Sequence, residues 1–147
     1  MHAKFLGAAG MVAVSALLAG PAMAETMKID FWFGNTGDIA KRVQEQCDRF
    51  NKSQSDYEVV CTSQGSYDAS LQNTIAAFRA GKQPTIAQVS DAGTLDIMLS
   101  GAFYPANKLM ADMGYTVDWN DYFSGIKSYY ATSKGDMYSF PFNSSTP

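Results

Sequence analysis

Few residues in this chain could do chemistry, and their types narrow the choice. The only histidine, His2, sits at the amino terminus, ahead of an apolar run. Without another, neither a Ser-His-Asp or Cys-His nucleophile nor a His-ligated metal can be assembled from the remainder. No metal site and no cofactor is therefore expected. There are two cysteines, Cys47 and Cys61, an even count that favours pairing in an oxidising compartment. What remains is oxygen chemistry. Three carboxylates, Asp38, Asp68 and Asp91, lie in or beside short polar segments, "GNTGD", "TSQGSYD" and "SDAGT", and a fourth such segment, "NSSTP", ends the chain. Two carboxyls held about 5–5.5 Å apart, or about 6.5–9.5 Å apart, would hydrolyse a glycoside, but no local motif pairs any of these three. The other use of such groups is to line a polar site that holds a solute without changing it. Plainer roles stand beside both. Asp91 would serve as a helix cap, Ser144 and Ser145 as ordinary turn residues, Tyr67 as the first member of a helical apolar stripe, and Trp32 and Trp119 as packing.

The elements that must position these segments are legible in the hydrophobic spacing. "MKIDFWF" alternates, with Ile29, Phe31 and Phe33 on one face, and predicts a strand. After "GNTGD", Ile39, Val43, Cys47 and Phe50 recur as the stripe of an amphipathic helix. "YEVVC" predicts a second strand. Ser66 is placed to cap a helix over Tyr67–Ala80 with the stripe Leu71, Ile75, Phe78, and Gly81 to end it. "PTIAQV" reads as a third strand buried on both faces. Helices are expected near Thr94–Leu99 and Asp121–Tyr130, and "DMYSFPF" as a last strand. Strands alternating with helices imply an α/β fold with a mostly parallel sheet flanked by helices. In such sheets ligands bind beyond the carboxyl ends of the strands. The polar segments that follow the strands would all open on that edge, as one wall of a site.

Cys47 and Cys61 fall on the apolar faces of adjacent elements, so a disulfide is geometrically possible. Closing a loop of about 15 residues would stabilise the fold by roughly 3 kcal/mol in the chain-entropy model; two buried thiols that never meet are the alternative.

Residues 1–24 have the three parts of a secretory signal peptide: Lys4, an uncharged stretch of 14 residues from Phe5 to Leu18, and Ala22-Met23-Ala24 after Gly20-Pro21. That stretch is shorter than the ~20 residues a spanning helix needs. Beyond it, without Lys4, 10 basic side chains face 14 acidic ones. An acidic balance argues against a nucleic-acid partner.

"GSYDASLQNTIAAFRAGKQPTIAQVSDAGT" (Gly65–Thr94), with the early "FW" and the final "PFNSSTP", resembles the solute-binding proteins of ABC importers, and within them the branch that carries glycerol phosphates. The resemblance implies a periplasmic-binding-protein-like clamshell of two α/β lobes, here residues 25–147 as the amino-terminal lobe, reaching the first crossing between lobes at "PFNSSTP". It implies a full-length protein much longer than 147 residues, and a periplasmic, monomeric, non-enzymatic protein that binds a polyol phosphate or sugar and delivers it to membrane-embedded permease subunits. By the same resemblance Tyr67, Asp91 and Ser145 match ligand contacts of the family. Ser66 and Ser144 are their hydroxyl-bearing neighbours, suited to an anion. The chain departs from the glycerol-phosphate branch in having Asp91 for a longer Glu, Ser90 for an aromatic and Phe33 for a His. A glycerophosphodiester or an uncharged oligosaccharide therefore stays open as the solute.

The leader makes a direct prediction. Amino-terminal sequencing of the exported protein is expected to begin at Glu25, and a start at Met1 would show that residues 1–24 are retained.

Overall fold

The computed structural model describes residues 25–143; residues 1–24, expected as a signal peptide, and residues 144–147 lie outside that range. β1 (Met27–Phe33) is the central strand of a three-stranded parallel sheet of order β2-β1-β3. β2 (Tyr57–Ser63) pairs along its whole length, from Met27 opposite Tyr57 to Phe33 opposite Ser63. β3 (Ile86–Ala87) pairs Phe31 with Ile86 and Trp32 with Ala87. Two parallel connections require two crossovers, which α1 (Gly37–Ser53) and α2 (Tyr67–Arg79) supply.

α1 buries Val43 and Cys47 against Phe33, with Phe31, Ala40, Val59 and Cys61 packed around them. Ile39 and Phe50, expected in this stripe, are exposed at 58% and 43%. The buried line instead runs through Ala40, Val43 and Cys47 to half-buried Asn51, a face rotated by one residue at each end. Asn51 is polar for a reason. Its amide exchanges two hydrogen bonds with Val59, giving to the carbonyl at 2.9 Å and accepting from the N–H at 2.8 Å. Gln54 makes the same pair of bonds with Tyr57, at 2.7 and 2.8 Å. The outer edge of β2 is thus occupied by side-chain amides rather than left as an open template for another strand. Cys47 and Cys61 are joined, with their Cα atoms 6.5 Å apart, so the helix is also tied covalently to the strand it covers.

α2 begins where expected. Ser66 Oγ accepts from Ala69 N–H at 3.0 Å. The helix ends on Gly81 at φ +66°, with Lys82 N–H bonded to Ala77 O at 2.8 Å and Gly81 N–H to Phe78 O at 3.0 Å, the paired 6→1 and 5→2 bonds of a Schellman ending. Its buried face holds Ser70, Leu71 and Thr74 rather than the full Leu71-Ile75-Phe78 line; Phe78 is 42% exposed.

Two strand expectations change. β3 is two residues long and Ile86 is half exposed: Pro84 has no N–H for a ladder, and β3 is an edge strand. "DMYSFPF" forms no strand but a single antiparallel bridge, Ala131 with Met137. Its carbonyls are engaged elsewhere. Tyr138 O and Met137 O accept from the N–H groups of Ala106 and Asn107 at 2.9 and 3.0 Å, closing the amino end of α4 (Ala106–Asp112). The sequence reading missed α4, although Pro105 just before it was the available signal. α3 (Thr94–Ser100) stands where expected. α5 (Ser124–Tyr130) starts three residues late, after a 3-10 turn at Trp119–Asp121. Trp119 packs on Phe140 and Tyr122, with ring centroids 5.0 and 6.0 Å apart, which is the packing role. On α4, Asp112 accepts from Tyr104 and from Lys108. These bonds raise the Lys108 ammonium and lower the Asp112 carboxyl relative to their ordinary values.

The carboxy-terminal segment is held by Met137, 2% exposed, and by Tyr138, whose hydroxyl reaches Phe103 O at 3.0 Å and Ile97 O at 3.3 Å. Burial pushes the Tyr138 phenol above its ordinary value, so the folded state holds this proton more tightly than the unfolded chain does. Stability from this group is complete below the unfolded value of about 10 and is lost as pH rises through the higher folded value. Tyr138→Phe is expected to cost about 1 kcal/mol at neutral pH and to flatten the alkaline loss. Urea unfolding at neutral pH and above pH 10 checks both, and an alkaline limb unchanged in the variant would show that another group is responsible.

Candidate functional site

Because the three strands run parallel, the segments after each of them emerge on one edge. The first, Gly34–Gly37, leaves β1 between the other two. A Cβ at Gly34 would lie 2.6 Å from Tyr67 N, 2.7 Å from Ser66 O and 2.7 Å from Tyr67 Cα. Those are backbone atoms that cannot rotate away, so only glycine lets the β1 exit and the start of α2 touch.

Gln88 fastens this contact. It is 7% exposed, and its backbone N–H continues the sheet by donating to Trp32 O at 2.8 Å. Its side-chain Oε1 accepts from Gly34 N–H at 3.0 Å, and Nε2 donates to Asn143 Oδ1 at 2.8 Å. Its carbonyl accepts from Ser70 Oγ on α2 at 3.1 Å. Through its side-chain amide Gln88 therefore binds the β1 exit and the residue just before Ser144, and through its backbone β1 itself and α2. Ser144 and Ser145 themselves fall outside the described residues.

The second fixed point is Asn35, 6% exposed. Its carbonyl accepts from Ser63 Oγ at 2.8 Å, and its Nδ2 donates to Tyr67 Oη at 3.0 Å. Its Oδ1 is buried with no hydrogen-bond partner, a desolvation cost of about 1–3 kcal/mol.

The expected site residues distribute as follows. Ser66 and Tyr67 stand together at the head of α2, against Gly34 and Asn35; Ser66 is engaged as the helix cap, and Tyr67 is 38% exposed. Asp91 lies on the neighbouring segment after β3, exposed at the start of a 3-10 turn, where its carboxylate accepts from Ala92 N–H at 2.9 Å. Asp91 is thus the first residue of the turn rather than a helix cap, since Ser90 and Gly93 hold the cap positions of the turn and of α3, and its carboxylate stays exposed. Of the other carboxylates, Asp38 pairs with Lys41 at 2.9 Å and Asp68 is exposed in the first turn of α2. No cluster of three or more His, Cys, Asp or Glu able to hold a metal occurs among the described residues, and no helix among them is long and apolar enough to cross a membrane. Sequence reasoning passed over Asn35, Gln88 and Asn143. Gln88 carried a signal, as the one polar residue inside the apolar run "IAQV".

Comparison with known proteins agrees with this geometry. Residues 45–147 match the family of bacterial extracellular solute-binding proteins. The chain is 41% identical over 137 residues to the sn-glycerol-3-phosphate-binding periplasmic protein UgpB of Yersinia pestis bv. Antiqua (strain Antiqua), covering 92% of this chain and 31% of that protein. It is 40% identical over 136 residues to the protein of the same name from Brucella abortus (strain 2308), with the same coverage. The chain thus spans about a third of the length of these curated relatives. Among solved structures, the cyclic alpha-maltosyl-1,6-maltose binding protein of Arthrobacter globiformis superposes with a TM-score of 0.61 at 18% identity, over 76% of this chain and 27% of that one. CpMnBP1 with mannotriose bound gives 0.59 at 18% identity, over 76% and 27%. At that identity these two speak for the fold, a parallel sheet flanked by helices of the periplasmic-binding-protein type.

The Gly34 contact is the mechanical test of the site. Gly34→Ala is expected to destabilise the protein by about 1–3 kcal/mol through overpacking on the α2 backbone, read as a lower denaturant midpoint; an unchanged midpoint would mean that α2 can retreat without cost.

Proposed function

Because the chain belongs to the bacterial extracellular solute-binding proteins, we propose that the protein captures sn-glycerol 3-phosphate, or a glycerophosphodiester, outside the cytoplasm and delivers it to the permease subunits of an ABC importer. The observation that carries this reading is the convergence of the three strand-exit segments on one edge, with Tyr67 and Asp91 exposed there and Gln88 holding Asn143 beside them. The solute is suggested by the 40–41% identity to relatives whose names specify sn-glycerol 3-phosphate. Oligosaccharide binding is the weaker reading, because the saccharide-binding structures are alike in fold at 18% identity.

In this account the protein performs no chemistry. Tyr67 offers a ring face and a hydroxyl, the Asp91 carboxylate accepts from the solute's hydroxyls, and Ser144 and Ser145 contribute uncharged donors to the phosphate. Ser66 shapes the site as the cap that presents Tyr67. Affinity comes from closure of a cleft on the solute rather than from any one group.

Asp91→Ala in the native full-length protein is expected to weaken binding of sn-glycerol 3-phosphate by roughly tenfold or more, the value of a hydrogen bond to a charged group, measured by titration calorimetry. Unchanged affinity would remove Asp91 from the site. Formation of glycerol and free phosphate during the same titration would overturn the non-enzymatic reading.

A further inference from the structure

Asn35 is expensive where it stands. Its Oδ1 is buried and unpartnered, and a small apolar side chain would avoid that cost at a position that is 6% exposed. Stability alone does not account for a polar side chain here. What the amide does accomplish is specific: its Nδ2 donates to Tyr67 Oη at 3.0 Å. A phenol oxygen that accepts from below has its own proton left to give, and the Tyr67 ring is partly exposed at the strand-exit edge.

We propose that Asn35 is a positioning residue that turns the Tyr67 hydroxyl proton outward, so that this corner of the site takes a hydrogen-bond acceptor such as a phosphoryl oxygen. The inference rests on the solute reading above and adds the polarity of one contact. Asn35 is well placed to do this, because its backbone is pinned by Ser63 Oγ at 2.8 Å and the neighbouring Gly34 by Gln88. The donor thus sits on rigid strand ends. A free phenol would spread its proton over several directions; the amide leaves it one.

The test is a double-mutant cycle in the native full-length protein, with sn-glycerol 3-phosphate as the probe in calorimetry and thermal unfolding run in parallel. Asn35→Leu is expected to weaken binding by about tenfold in protein that thermal unfolding shows to be folded. In a Tyr67→Phe background the same substitution is expected to change affinity by less than about twofold, because the two residues act as one unit. Unchanged affinity in Asn35→Leu, or penalties that multiply in the double variant, would each overturn the proposal. Asn35→Ser, too short to reach Tyr67, goes through the same cycle, so the binding arm can be read even if the leucine variant does not fold. Wild-type protein that fails to bind the probe would overturn the solute reading itself. Wild-type binding with additive penalties would overturn only the role of Asn35.

Discussion

Everything at the strand-exit edge depends on how closely β1 passes the start of α2. The backbone of Gly34 lies against Ser66 and Tyr67 with no room for a side chain. A parallel sheet brings its strand ends together but does not seal them to the helices that follow. Here the seal is backbone on backbone, and Gln88 locks it by accepting from the Gly34 N–H. Move that contact outward and Tyr67 loses its amide partner, Ser70 its carbonyl partner and Asn143 its tether.

The same economy governs the other polar groups inside the molecule. Asn51 and Gln54 spend their amides on the free edge of β2, and Gln88 spends both ends of its own on backbone and Asn143. A buried amide with both ends satisfied stabilises its surroundings, whereas one left half-satisfied is costly. Asn35 is left half-satisfied, as Asn107 is, and it stands beside Tyr67. The core proper is small: Phe33, Val43 and Cys47 with a ring of half-buried neighbours. In so modest a core the Cys47–Cys61 bond carries weight, about 3 kcal/mol for a loop with 14 residues of separation.

The proposed solute class and the fold rest on different likenesses. Likeness to saccharide-binding structures at 18% identity reflects the α/β scaffold, which hosts many ligands. Identity of 40–41% extending through the strand-exit segments bears on the site itself. Of Asp91, Ser90 and Phe33, the first two lie on the segment after β3, whereas Phe33 is buried in the core beneath α1.

The sequence by itself determined the first two crossovers. Alternation in "MKIDFWF", the Val43–Cys47 step and the Ser66 and Gly81 boundaries of α2 are local signals, each read from a few consecutive residues whose periodicity or cap chemistry has few alternatives. It also determined the absence of histidine chemistry beyond His2 and the gathering of the segments after β1, β2 and β3 on one edge, since topology follows from element order. Tertiary structure decided the rest. "DMYSFPF" carries a strand's pattern, yet Met137 and Tyr138 give their carbonyls to α4, because an amino-terminal helix end with no cap of its own competes for them. Ile39 and Phe50 follow a helical period, but which side of that period faces the sheet is set by the approach of the helix. Asn35, Gln88 and Asn143 are distant in sequence or unremarkable in type, and their partnership exists only because Gly34 allows three chain segments to meet. A side-chain hydrogen bond between residues 55 apart leaves no periodic trace along the chain, which is why the partnership of Gln88 with Asn143 was invisible until the fold brought them together.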